Sequence, residues 1–198
     1  MNEISARHPL PVFATIVVLI AAATMVGLGV WQLDRMAWKE NLLARYDAAL
    51  MLDDSVDWPS QDQALEDAYY RRSSVTCASD AQVTAIAGRN ADGEAGWAHI
   101  VECLTGDGSP AAIQLGWNRN PAPVAYDGAP AVGRIAPYGD SVRLVADPPL
   151  AGLEANAEPD PSEIPNNHLA YAIQWFFFAV TALVIYALAL KRRLARKG

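Results

Sequence analysis

Two long uncharged runs bracket a polar middle. No side chain is charged from Leu10 to Leu33, and none from Leu169 to Leu190. As helices these 24 and 22 residues would extend about 36 and 33 Å at ~1.5 Å per residue, enough to cross a bilayer. The pattern predicts transmembrane helices at 10–33 and 169–190. A cleavable signal peptide competes for the first run, because Arg7 precedes it and Ala21-Ala22-Ala23 lies inside it. Signal h-regions are only about 7–15 residues long, so an uncleaved anchor is the better reading.

The periodicity changes between the spans. From Asp34 to Leu52 the spacing is helical, with Leu42, Tyr46 and Ala49 on one face and Trp38 above them. The first helix is therefore expected to continue outward as an amphipathic segment. Trp31 falls at the expected interface, and Arg35, one turn on, is placed to cover that ring or meet lipid phosphates. Short β-like runs follow at Tyr70–Cys77, Gln82–Ala87, Trp97–Leu104, Ala111–Trp117, Val132–Ala136 and Val142–Ala146. They are separated by turn signals such as Asn90-Ala91-Asp92-Gly93 and Gly106-Asp107-Gly108-Ser109-Pro110. The helices between them are too short for βαβ crossovers, so an antiparallel β-sheet or small β-barrel is expected over 34–146, together with the amphipathic helix. Residues 147–168 alternate prolines (148, 149, 159, 161 and 165) with acids, which predicts an extended return linker that resists packing.

Charge orients this layout. Residues 34–163 carry nine Lys/Arg against 21 Asp/Glu, a local balance of −12 that the whole-chain value of −7 hides. The tail 191–198 holds Lys191, Arg192, Arg193, Arg196 and Lys197 and no acid, and Arg7 flanks the other end. Positive residues near membrane ends stay on the cytoplasmic side. Both termini are thus expected in the cytoplasm and the central domain outside it. The expected fold class is a membrane protein, α+β, with two transmembrane helices flanking an exported antiparallel sheet or small barrel. The first span begins near residue 10, too early for a cleavable transit peptide, which favours a bacterial inner membrane over an organelle.

Candidate chemistry is sparse. The chain has no Gly-rich phosphate loop, no G-x-S-x-G, no H-E-x-x-H and no C-x-x-C, and its histidines are His8, His99 and His168. An enzyme is not expected. Nor is nucleic-acid binding, since the basic residues are few and sit at the membrane. Cys77 and Cys103 are the only cysteines, 26 positions apart on expected strands. In an oxidising compartment such a pair is more often a disulfide than a metal site. Two free buried thiols, or a Cu(I) site with His99, remain open. A disulfide would stabilise the fold by about 3–4 kcal/mol in the chain-entropy model. Alternation places Trp97, His99, Val101 and Cys103 on one face, which makes His99 a core or near-core residue.

His168 stands at the mouth of the second span. Helical spacing puts it on one stripe with Tyr171 or Ala172, Trp175, and Phe178 or Ala179. One imidazole followed by aromatic rings suits an axial haem ligand. The spacing alone favours a helix cap or headgroup anchor. Gln174 implies that one side of this helix faces protein, and Ala23-x-x-x-Gly27 offers a close-approach surface on the first helix.

Leu28-Gly29-Val30-Trp31-Gln32-Leu33-Asp34-Arg35 with Trp38-Lys39, and Ile164-Pro165-Asn166-Asn167-His168-Leu169-Ala170-Tyr171-Ala172-Ile173-Gln174-Trp175-Phe176, resemble the two membrane signatures of the Surfeit-locus (Surf/Shy) family of cytochrome c oxidase assembly factors. Tyr70-Arg71-Arg72, Gly96-Trp97 and Gly116-Trp117 fit its middle. The resemblance implies a chaperone of respiratory-chain biogenesis that aids haem a delivery to, or retention in, oxidase subunit one. It turns the reading of His168 towards a haem-iron ligand, with Tyr171 and Trp175 lining the pocket and Arg35 meeting a propionate. Its implied partners are oxidase subunit one, haem a synthase as a second candidate, and membrane lipid. A haem-independent chaperone on the same fold is the alternative.

Overall fold

No proline interrupts the chain between Val12 and Leu50, and these residues form one helix, α1, of 39 residues. Its last turn tightens, with Met51 and Leu52 donating to the carbonyls of Ala48 and Ala49. The structure is a computed structural model describing residues 11–59, 65–78 and 82–195. Expectations at Arg7, His8, Leu10, Arg196 and Lys197 fall outside the described residues. A one-turn helix, α2 (Leu65–Ala68), precedes six strands: β1 (Arg72–Val75), β2 (Val83–Arg89), β3 (Ala95–Leu104), β4 (Pro110–Asn118), β5 (Ala131–Tyr138) and β6 (Ser141–Ala146). A 3₁₀ turn at Pro161–Glu163 leads to α3 (His168–Ala195). The chain divides into two compact units, Met1–Leu42 with Pro165–Gly198, and Leu43–Ile164.

The first unit is a helix pair. Both helices are long and apolar enough to cross a membrane. The Thr15 and Tyr186 hydroxyls bond at one end, and Gln32 meets His168 at the other, so α1 and α3 run antiparallel. Thr15, Ala22 and Gly29 recur every seven residues on α1, as do Ala172, Ala179 and Tyr186 on α3, and Ala22, Gly29, Ala172 and Ala179 are buried. Seven-residue repeats of small residues let two backbones approach without a hydrophobic drive, which lipid would cancel. Phe13, Ile20, Phe177 and Ile185 point outward, as an apolar solvent requires. The close-approach surface is therefore not Ala23-x-x-x-Gly27: Ala23 is exposed, and a Cβ on Gly27 would meet nothing within 4 Å. Those residues lie on a different face of α1 from the stripe that α3 selects. A Cβ on Gly29, in contrast, would come 2.5 Å from the Phe176 ring. Gln174 is exposed, not turned towards α1.

All six expected strands are present, in the order β1-β5-β6-β4-β3-β2. The sheet is mixed where an antiparallel one was expected, because β4 pairs β6 in parallel. After β4 the chain passes over β6's place, enters β5, and returns through a tight hairpin at Gly139 to lay β6 between β5 and β4. The Asn90–Gly93 turn closes β2 onto β3, with Asn90 Oδ1 accepting from the backbone of Asp92 and Glu94. Val101, Ile113, Leu115, Ile135 and Leu144 are fully buried on one face. Between β3 and β4 the register slips so that Leu115 and Gly116 lie against the His99/Ile100 step. The slip turns Trp117 to the opposite face, where it too is fully buried. Gly96 and Gly116 follow from this packing. A Cβ on Gly96 would meet the Trp117 ring at 2.3 Å, and one on Gly116 would meet Leu153 at 2.5 Å.

The acidic, Pro-rich segment does more than return the chain. Leu150 donates to Leu115, Glu154 pairs with Trp117, and Ala157 donates to Arg89. Leu153 and Pro161 are buried. Proline makes the segment extended, and extended backbone is what a neighbouring strand can pair with.

Candidate functional site

Pro165 keeps Ile164, the residue before it, extended. Two residues later the Asn167 carbonyl accepts from Tyr171, so α3 starts with His168 in its first turn. There the imidazole is partly buried and faces α1. Its Nδ1 lies 2.7 Å from Gln32 Oε1. A carbonyl oxygen can only accept, so Nδ1–H donates, and in the neutral imidazole Nε2 then carries the lone pair. A neutral imidazole with one nitrogen tied to protein and the other bearing a lone pair is a ready metal ligand. In the sequence Gln32 stands only within the Leu28–Arg35 run, although the need of an amide in an uncharged helix for a protein partner, applied there to Gln174, holds for it too.

The other candidates are distributed around this pair. Ala172, not Tyr171, packs towards α1, and the Tyr171 side chain is exposed. Trp175 is partly buried and stands edge-on to Phe178, with ring centroids 6.2 Å apart. Arg35 is one turn beyond Gln32 and exposed, with its guanidinium 3.8 Å over the Trp38 ring. The expectation was that it covers Trp31 or meets lipid phosphates; of the two rings it covers Trp38. Helical side chains lean towards the N-terminus, so the Trp38 ring leans back over Arg35 while that of Trp31 leans away from it. Among the described residues no hydrogen bond joins Tyr171, Trp175 or Arg35 to His168.

The sheet domain offers other chemistry. Cys77 and Cys103 are disulfide-bonded, so neither sulfur is a thiolate for copper. His99 is fully buried, its Nε2 3.3 Å from the Asn120 carbonyl. Among the described residues no group of three or more His, Cys, Asp and Glu could hold a metal ion. Tyr46, Tyr69 and Tyr70 form an aromatic trio with centroids 5.1–6.4 Å apart. Burial, aided by the charges of neighbouring acids, pushes the Tyr70 hydroxyl up to about 12.

One imidazole with no companion ligand does not make a site for a bare metal ion. It does suit a macrocycle that supplies the remaining in-plane donors. The sequence profile of the SURF1 family matches residues 19–180, which take in most of α1, the whole sheet domain and the first half of α3. No curated protein matches the chain.

Proposed function

The chain belongs to the SURF1 family and shares its role in cytochrome c oxidase assembly, and from that premise we propose that it binds haem a through His168 and assists its delivery to or retention in oxidase subunit one. The observation that carries this reading is the 2.7 Å bond from His168 Nδ1 to Gln32, which leaves Nε2 as the donor nitrogen. A haem held there would supply an iron able to take an imidazole ligand. The chain's own residues do the rest. His168 would ligate from the first turn of α3, and Trp175 and Phe178 would provide an apolar wall. Arg35, at the end of the uncharged run, is placed to meet a carboxylate once released from Trp38. A single ligand with exchangeable packing suits a factor that must hold its cargo and give it up. Nothing in this scheme turns over a substrate.

The same reading orients the chain. Arg192 and Arg193 lie in the last turn of α3, which favours cytoplasmic termini. The Cys77–Cys103 bond favours an oxidising compartment for the sheet domain, the periplasm of a bacterial inner-membrane protein. In that position the domain faces oxidase subunit one, with haem a synthase as the donor side.

The test is the optical spectrum of protein purified from cells making haem a, beside a His168→Ala variant. A haem signal present in the first and lost in the second supports the proposal. Equal haem in both moves the ligand elsewhere, and no haem in either leaves a haem-independent chaperone of an assembly intermediate.

A further inference from the structure

Resting on the haem reading of His168, we infer that Gln32 is a positioning residue: it selects which imidazole nitrogen is offered and ties that offer to the docking of α1 on α3. A neutral imidazole has two tautomers, and its ring torsion is broad. Either freedom would scatter the direction of a ligating lone pair. The Gln32 carbonyl at 2.7 Å removes both, because it holds the proton on Nδ1 and fixes the ring. Metal-bound histidines are commonly held this way, with the second ring N–H donated to an outer acceptor.

Here the acceptor belongs to the other helix. Gln32 follows Gly29 on the buried stripe by three residues, and Gly29 is where α1 comes against Phe176. The Thr15–Tyr186 bond at the far end fixes the same register. Sliding one helix past the other by a turn, about 5.4 Å, would carry Oε1 out of hydrogen-bond range. The donor nitrogen is therefore defined only in the docked pair. The ligand this suits is a metal-centred macrocycle that takes one neutral imidazole.

The experiment uses full-length protein in detergent micelles with ¹⁵N-labelled histidine, the His168 signals being assigned by their loss in His168→Ala. In the haem-free protein, Nδ1 is expected to be protonated and Nε2 bare. Gln32→Leu is expected to move the proton to Nε2, and Gln32→Glu, which keeps an acceptor, to leave it on Nδ1. Loaded with haem, Gln32→Leu is expected to lose haem ~10–100-fold more readily and to shift the iron–imidazole stretching band, while Gln32→Glu retains haem and moves the band the opposite way, a carboxylate being the stronger acceptor. A wild-type ring protonated on Nε2, or a Gln32→Leu variant with tautomer and stretching band unchanged, overturns the inference. A wild-type protein that takes up no haem at all sinks the haem reading, and the tautomer still decides what Gln32 does.

Discussion

In the sheet domain large side chains are fully buried, Trp117, Ile100, Ile113, Leu115, Ile135 and Leu144 among them. Within the uncharged spans of the helix pair the buried positions are small: Ala22, Gly29, Ala172 and Ala179. The domain can draw on the hydrophobic effect because water is its alternative solvent. The pair has lipid as its alternative, so close approach of backbones and two polar bonds must hold it. Stability and chemistry are thereby separated. The domain uses its cysteines on each other and buries His99, whereas the pair keeps one nitrogen of His168 available.

This contrast makes predictions that differ by region. The largest effect is expected from removing the crosslink. Cys77→Ala with Cys103→Ala should cost the sheet domain about 3–4 kcal/mol in a denaturant titration, for a closed loop of 26 positions, while leaving His168 in place. Alkaline pH comes next. An unfolded tyrosine ionises near 10, but Tyr70 in the fold stays protonated until about 12. The unfolded state thus sheds its proton first, and stability present below pH 10 is lost as pH rises towards 12. For a shift of this size the loss is about 2–3 kcal/mol, and Tyr70→Phe should flatten the pH profile over that window.

A smaller effect, confined to the pair, is expected at Gly29. Gly29→Leu places side-chain atoms where the Phe176 ring lies, an overpacking that typically costs about 1–3 kcal/mol. Crosslinking yield between cysteines placed across α1 and α3 should fall, with the domain's melting unchanged. Gly27→Ala, which meets nothing within 4 Å, should leave both readings as they are. Equal effects at the two glycines would mean that the close-approach stripe has been assigned to the wrong face.

Much of this was legible in the sequence. The spans show as uncharged runs, and the strands show because turn chemistry at Asn90–Gly93 and Gly106–Pro110 is local. What was not legible depends on partners distant in the chain. The parallel β4–β6 pair comes from inserting a later hairpin between earlier strands. The choice of Gly29 over Gly27 depends on which face α3 presents. The packing of 147–163 on the sheet depends on free backbone at Leu115, Trp117 and Arg89, which proline content cannot reveal. At the candidate site, His168 stood out by its place at a helix mouth, while Gln32 became visible only once the two helices were set side by side.

The separation of ligand chemistry from domain stability is tested most directly by haem-to-protein ratios in two purified full-length variants, His168→Ala and Cys77→Ala/Cys103→Ala, prepared alongside the wild type with haem a supplied. The account predicts loss of haem in the first with the sheet domain's melting intact, and retained haem in the second with the domain less stable. Haem kept by His168→Ala, or lost through the cysteine change in protein that is still folded, would contradict it.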